Sequence, residues 1–308
     1  MNKLELIQTG AGAKIIMLGA VSWLLLSGFS LSPGLVPAED IISGGPGKDG
    51  IPALTDPVIE AGKSANRWME ERDRVIGVVI NDQARAYPIR ILNWHEIVND
   101  QIKGKRFVVT YCPLCGSGMV FDSKDNFGVS GLLYQSDVLL YDKKTESLWS
   151  QLESKAITGK RLGEKLKTLP VLHTTWKYWF KKHPDTSVLS RQTGYSRDYN
   201  RDPYAGYESD KSIYFPVQHH DNRLHLKTWV IGLEMNGKTR AWPLDGLKKT
   251  GGVHETWQGR NLHIRYQSAG NHAEITDKGS GRVLETITLY WFAWATFHPE
   301  TGLYTKSK

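Results

Sequence analysis

The chain repeats part of its own sequence at a spacing of 155 residues, and this repeat constrains the fold more than any other feature. Val-Ile-Gly at residues 75–77 recurs at 230–232, and Arg-Ala-Tyr-Pro at 85–88 is answered by Arg-Ala-Trp-Pro at 240–243. In each copy, two strand-forming runs around a turn precede a stretch with helical spacing and a further strand. The repeat therefore predicts an internal duplication of one hairpin-helix-strand unit.

The two predicted units span residues about 70–122 and 225–277, and the segment between them has the pattern of a β-meander. Apolar runs near residues 128–134, 138–141 and 147–149 are separated by short polar turns. The predicted fold class is therefore α+β, mainly β, with two related units joined by a meander.

Three stretches carry more local predictions. Ile91, Leu92, His95 and Val98 stand at helical spacing and predict a helix after the first hairpin. Residues 174–182 have an aromatic face and predict a short helix that ends before a proline. Residues 286–297 are dense in aromatic side chains and predict a buried closing strand or strand pair.

The N-terminus has the pattern of an export signal. Two lysines precede an apolar run at residues 15–26, and small residues follow it up to position 38. We interpret residues 1–38 as a signal peptide or an uncleaved N-terminal anchor, 39–50 as a linker, and 51–308 as the folded domain. The predicted location is the periplasm or another exported compartment, with membrane contact only through an uncleaved N-terminal segment.

Charge and composition limit the classes of partner. Without residues 1–38 the chain keeps 37 basic and 31 acidic side chains, a formal charge of +6. This excess is typical of a solvated basic face, and no nucleic-acid-binding motif accompanies it. The expected partner is a metal ion or a small envelope ligand rather than a nucleic acid.

Both cysteines of the chain lie in one short loop. Cys112 and Cys115 follow a strand-forming run and precede a glycine-rich turn. At the same positions of the second copy stand Gln267 and Gly270, so only one half of the repeat carries thiols. This asymmetry indicates a functional site added to one copy of a common scaffold.

The cysteine loop and several separated motifs resemble the DUF3179 family of exported bacterial proteins. The motifs that carry the resemblance are residues 111–118, 130–134, 141–142, 147–151 and 291–294. The likeness extends over about residues 51–304. It implies that Cys112, Cys115 and the segment 142–151 belong to the core of the family, and it implies no activity.

A thiophilic metal site is the favoured chemistry for the loop. A Cys-Pro-x-Cys-Gly turn can aim two thiolates at one ion, and a thiolate pair outside the cytoplasm suits copper or zinc. With only one such pair in the chain, the other ligands must be histidine or carboxylate. His95 is the nearest candidate ligand, and His219, His220 and His298 are weaker ones.

Two alternatives remain open for the same pair. A Cys-x-x-Cys loop can perform thiol/disulfide exchange, although this one follows a strand rather than opening a helix. It can also form a structural disulfide, since an oxidising compartment favours one. The chain is then either a redox protein or, with 11 Trp and 13 Tyr, an aromatic-rich envelope protein that stacks a ligand on exposed rings.

Polar residues near the loop complete the predicted site. Asp122, Asp142 and Gln151 are candidates to support the metal or redox ligands. Asp137 and Glu146 could line the same face as acid/base groups or ligands. Turn formation is the commoner role for aspartates placed as Asp137 and Asp142 are.

Overall fold

The structure is a computed structural model that describes residues 28–305. Within this range the protein is mainly β with few helices, which confirms the mainly β part of the prediction. The strands form five sheets of three to five strands in a β-propeller-like arrangement. Alternation of buried and exposed side chains is rare in the central strands, because most of them are covered on both faces.

Two sheets come mainly from the first half of the chain. The meander sheet contains, in spatial order, β1 (Ile41–Ser43), β9 (Phe127–Tyr134), β10 (Asp137–Asp142), β11 (Leu148–Ser150) and β12 (Lys155–Ala156). The cysteine sheet contains β13 (Lys167–Leu169), β8 (Ser117–Asp122), β7 (Lys105–Cys112), β6 (Ile97–Ile102) and β2 (Leu54–Thr55).

Three sheets complete the fold. The β4 sheet contains β14 (Leu172–Thr175), β4 (Arg74–Ile80), β5 (Gln83–Pro88), β15 (Ser187–Leu189) and β3 (Ile59–Ala61). The β16 sheet contains β21 (Ile287–Tyr290), β16 (Trp229–Met235), β17 (Lys238–Pro243) and β22 (Gly302–Leu303). The β19 sheet contains β18 (Gly252–Trp257), β19 (Arg260–Gln267) and β20 (His272–Asp277).

The helices are short. They are α1 (Gly62–Ala65), α2 (Ile89–His95), α3 (Trp176–Lys182), α4 (Leu244–Thr250) and α5 (Trp291–Phe297). The α3 helix begins after Thr175, whose hydroxyl accepts a hydrogen bond from the amide of Tyr178, and ends before Pro184 as predicted. The described residues include no helix that is both long and apolar enough to cross a membrane.

The predicted grouping of strands is wrong. Each hairpin-helix-strand segment is divided between two sheets, because the chain leaves the hairpin through α2 or α4 and builds a new sheet afterwards. The hairpins β4–β5 and β16–β17 are completed by later strands, antiparallel β14 or β21 on one side and parallel β15 or β22 on the other. The segment between the repeats is also more than a meander, since it forms its own sheet with β1 and adds β13 to the cysteine sheet.

Two local predictions are corrected as well. Val98 lies in β6, because the helix ends at His95 and Glu96 has a positive φ of 55° that turns the chain into the strand. Residues 287–290 form β21 as part of the predicted closing strand, but the aromatic stretch after it is the helix α5. A run that is apolar on all sides does not distinguish a buried helix from a buried strand.

The N-terminal segment is partly packed onto the domain. Residues 1–27 of the predicted signal lie outside the described residues. In the predicted linker at 39–50, β1 pairs with β9, and the buried Ile41 joins an apolar cluster. The carboxylate of Asp49 accepts a hydrogen bond of 2.5 Å from the Tyr141 hydroxyl. This stretch is therefore not a free linker.

Candidate metal centre

The loop that joins β7 to β8 places both thiols in the interior. Cys112 is the last residue of β7 and pairs with Ser117 at the start of β8, so four residues make the connection. Gly116 adopts a φ of +65°, and a Cβ at this position would lie 2.5 Å from the Trp229 ring. Cys112 is 1% exposed and Cys115 is fully buried, and both are free thiols.

A hairpin from the meander sheet brings a carboxylate to the thiols. Gln135 and Ser136 both have positive φ values and form the two-residue turn between β9 and β10. The turn directs the carbonyl oxygen of Ser136 at the sulfurs, 3.4 Å from Cys115 Sγ and 3.9 Å from Cys112 Sγ. Asp137, the next residue, is fully buried.

The two sulfurs and a carboxylate oxygen of Asp137 lie within 4.8 Å of one another. In a tetrahedral zinc site, metal–sulfur bonds of about 2.3 Å and metal–oxygen bonds of about 2.0 Å place the ligand atoms roughly 3.3–3.8 Å apart. The cluster therefore needs only a small contraction to surround an ion. It is the one group of three or more His, Cys, Asp or Glu ligands with this geometry in residues 28–305.

Asp137 is tied to the thiols by hydrogen bonding as well as by position. Its Oδ2 accepts a hydrogen bond of 3.1 Å from the Leu152 amide, and both thiols are placed to hydrogen-bond with its carboxyl group. The buried hydroxyl of Ser136 has no hydrogen-bond partner among the described residues. Tyr207 packs in the same apolar cluster as both cysteines. A buried polar atom without a partner is costly in a folded protein, so the Ser136 hydroxyl favours a further polar group at this place.

Burial shifts the protonation of the whole cluster. It raises the pKa of both thiols, that of Cys115 well above its ordinary value. Burial also raises the pKa of Asp137 to about 7, although the hydrogen bond from Leu152 acts in the opposite direction. Without an ion the two thiols hold their protons at neutral pH while Asp137 is partly ionised, and a metal would displace the remaining protons because only the deprotonated forms are ligands.

A second buried carboxyl lies near the cluster. Glu96 is 6% exposed, and the Tyr204 hydroxyl donates a hydrogen bond of 3.4 Å to it. Burial raises the pKa of Glu96 to about 8, and the charge of Asp137 adds to this effect. Glu96 therefore remains largely protonated at neutral pH and adds little negative charge to the site.

The predicted ligand His95 is not part of the cluster. Its Nδ1 lies 2.7 Å from the Pro52 carbonyl oxygen, and its Nε2 lies 2.7 Å from the Tyr199 hydroxyl. With both ring nitrogens engaged, His95 ties two loops to α2 and is not free to bind an ion. The weaker candidates His219, His220 and His298 are likewise outside the cluster.

Of the three supporting residues predicted from the sequence, only Gln151 contacts the strands at the cysteine loop. Its Oε1 accepts a hydrogen bond of 2.6 Å from Ser117 Oγ, and its Nε2 donates one of 2.8 Å to Thr110 Oγ1. Asp142 instead accepts hydrogen bonds from the Thr145 amide and the indole of Trp149. Asp122 pairs with Lys105 at the opposite end of β8.

Sequence reasoning missed the importance of three residues. Asp137 was interpreted first as a turn former, and Glu96 and Tyr207 were not singled out. Asp137 does follow a turn, but its burial depends on the packing of the meander sheet against the cysteine sheet. The one sequence signal for Asp137 is its position directly after a predicted hairpin turn that contains no glycine.

Replacing Glu96 with glutamine should change how the stability of the metal-free protein depends on pH. A carboxyl whose folded pKa is about 8 binds its proton more tightly in the folded state than in the unfolded chain, where the pKa is near 4.3. The wild type should therefore lose stability relative to Glu96→Gln as pH rises from about 4 to 8, and should not recover it above that range.

Thermal unfolding of both proteins at several pH values measures this difference. The control is Glu71→Gln, which changes an exposed glutamate paired with Lys177 and should give a nearly constant difference. A wild type that gains stability over Glu96→Gln between pH 5 and pH 8 would contradict the buried, protonated state of Glu96.

Fold and site together define a mainly β protein with a buried dithiol-carboxylate cluster. The chain belongs to the DUF3179 family, described as proteins of unknown function, and matches it over residues 48–301. The matched range contains all three residues of the cluster, which are Cys112, Cys115 and Asp137. No curated protein and no solved structure matches the chain.

Proposed function

We propose that the protein binds one thiophilic metal ion through Cys112 Sγ, Cys115 Sγ and Asp137 Oδ1. The observation that carries this proposal is the convergence of three buried ligand atoms, two thiol sulfurs and a carboxylate oxygen, within 4.8 Å of one another. Two thiolates and a carboxylate would give a divalent ion a site with one excess negative charge. The protonated Glu96 keeps this excess from growing.

Zinc fits the donor set better than copper. A carboxylate is a hard ligand, and Cu(I) prefers soft sulfur donors alone, whereas Zn²⁺ accepts sulfur and oxygen together. Three protein ligands also leave a fourth position for water or another small ligand, which is typical of zinc sites that do more than hold a fold. We therefore expect the protein to prefer Zn²⁺ over Cu(I) more strongly than a site made of the two cysteines alone would.

Replacing Asp137 with asparagine should weaken zinc binding at least about 100-fold, because loss of a direct ligand should cost no less than loss of its supporting contacts. Competition titration against a chromophoric chelator measures the affinity. Asp122→Asn is the matched control, since Asp122 lies at the end of β8 away from the cysteine loop and outside the cluster. Equal affinities of Asp137→Asn and the wild type would exclude Asp137 as a ligand.

Thiol/disulfide exchange is the second candidate function. The observation in its favour is the carboxyl of Asp137, whose pKa of about 7 suits it to accept a proton from a neighbouring thiol. Against it stand the burial of both sulfurs and their raised pKa values, since exchange requires an accessible thiolate. Rapid alkylation of the native metal-free protein by iodoacetamide would favour the redox function over the metal site.

The third interpretation is that a ligand stacks on exposed aromatic rings. Four tryptophans that could form such a surface are buried. Trp176, Trp179, Trp291 and Trp294 are at most 3% exposed. Each of these four indoles donates its N–H to a protein oxygen, so the rings belong to the core. They are not available as a platform.

The proposal places the metal site outside the cytoplasmic membrane. Its support is the apolar run at residues 15–26 with two preceding lysines. Fractionation of the native cell, followed by N-terminal sequencing of the protein, tests the location. Recovery of the protein in the cytosol with its first residues intact would contradict export.

A further inference from the structure

A cleft of about 800 Å³ is lined by none of the three residues of the cysteine cluster, although it includes Leu152, whose amide donates to Asp137. Its walls come from both the β4 sheet and the β16 sheet, and from the helices α3 and α5 that follow their edge strands. No cysteine lines it. A cleft of this volume is in the range of pockets that enclose small organic molecules.

The two sides of the cleft are built alike. On one side His183 packs on Trp179 with 4.3 Å between ring centroids, and on the other His298 packs on Trp294 at 4.1 Å. Both tryptophan indoles donate to a threonine, at 2.9 Å and 2.8 Å. These hydrogen bonds fix the two tryptophan rings. Each ring in turn holds its histidine at a defined position in the wall of the cleft.

The imidazoles give the cleft polar groups without positive charge. Burial lowers the pKa of His183, together with the charge of Lys182, and burial lowers the pKa of His298 to about 4. Both rings are therefore neutral at physiological pH, and their nitrogens can donate or accept a hydrogen bond.

Apolar side chains form much of the remaining wall and reach the surface. Val79 and Val283, two of the few large hydrophobic residues that are strongly exposed, both line the cleft at 51% and 61% exposure. Met119 and Leu166 also line the cleft and are half-buried. An exposed apolar rim that continues into an apolar interior favours an occupant with an apolar body.

The charge of the cleft is opposite to that of the whole protein. Four glutamates line it against two lysines, Lys165 and Lys182, and Lys182 is already 3.6 Å from Glu274. The chain as a whole carries a formal charge of +7. A locally negative cleft in a basic protein attracts cations and disfavours anions.

We propose that this cleft is a second binding site, for a small organic cation with an apolar body. The apolar walls hold the body of the ligand, while Glu234 and Glu285, which line the cleft and are exposed, face its positive charge. None of the three proposed metal ligands lines the cleft, so the two proposals can be tested separately.

Fluorescence polarisation with rhodamine 6G, an apolar cation, tests the site on the full protein. We expect saturable binding at micromolar dye, and weaker binding of the anionic dye 1-anilinonaphthalene-8-sulfonate. Glu234→Gln combined with Glu285→Gln should weaken rhodamine binding about tenfold or more by removing two facing charges. Thr286→Trp, which adds an indole at a half-buried position of the wall, should block binding of the dye.

The control for the charge change is Glu70→Gln combined with Glu71→Gln, which removes two exposed glutamates outside the cleft. This control should bind rhodamine 6G like the wild type, and so should Cys112→Ser combined with Cys115→Ser. The proposal is overturned if rhodamine 6G does not bind, if the anionic dye binds equally well, or if the surface control weakens binding as much as the cleft variant. Normal binding by a folded Thr286→Trp protein would overturn it too.

Discussion

Replacing Cys112 and Cys115 together with serine is expected to weaken zinc binding by about four to six orders of magnitude. Structural zinc sites with four ligands bind with about 10–16 kcal/mol, so two ligands account for roughly 5–8 kcal/mol. The hydroxyl of serine is a poor ligand for zinc compared with a thiolate. Competition titration of wild type and variant measures the change.

The same variant separates a binding defect from a folding defect. Serine has nearly the shape of cysteine, and both thiols are uncharged in the metal-free protein because burial raises the pKa of each. Without metal, thermal unfolding of the variant should therefore resemble that of the wild type. With zinc, only the wild type should gain stability, since an ion that binds only the folded state raises its melting temperature. Equal stabilisation of both proteins by zinc would show that the cysteines are not its ligands.

Replacing Trp149 with alanine is expected to cost about 3–5 kcal/mol of unfolding free energy. Trp149 is fully buried in the apolar cluster that also contains the two cysteines, and its ring packs edge-on against Phe127. Its indole N–H donates a hydrogen bond of 3.0 Å to the buried Asp142. The variant would leave both a large cavity and a carboxylate with one partner fewer.

Chemical denaturation measures this loss. The matched control is Trp257→Ala, because Trp257 is half-buried and donates no side-chain hydrogen bond among the described contacts. Its loss should cost at most about 2 kcal/mol. A Trp149→Ala protein no less stable than Trp257→Ala would contradict the role of Trp149 in the core beneath the site.

The sequence was sufficient for the elements that short-range patterns determine. The aromatic face before a proline predicts a helix over residues 174–182, and the structure has it at 176–182; strand formers before a glycine-rich turn predict the loop around Cys112. The grouping of strands was not accessible. Whether β14 or another strand covers the edge of β4 depends on contacts about 100 residues apart in the chain.

The same distinction applies to the site. The two cysteines are only three positions apart in the sequence. Their importance follows from the absence of cysteine at the matching positions of the second copy. Asp137 reaches them only because the meander sheet packs beside the cysteine sheet, and His95 is unavailable only because distant loops supply Pro52 and Tyr199 as its partners. Long-range contacts of this kind decide which polar side chains are free to act as ligands.

Elemental analysis of the protein isolated from its native compartment tests the central claim most directly. The account predicts close to one zinc ion per chain, which is lost when Cys112 and Cys115 are replaced. Isolation of the folded wild-type protein without a transition metal, and with no zinc uptake by its reduced thiols, would contradict the proposed site.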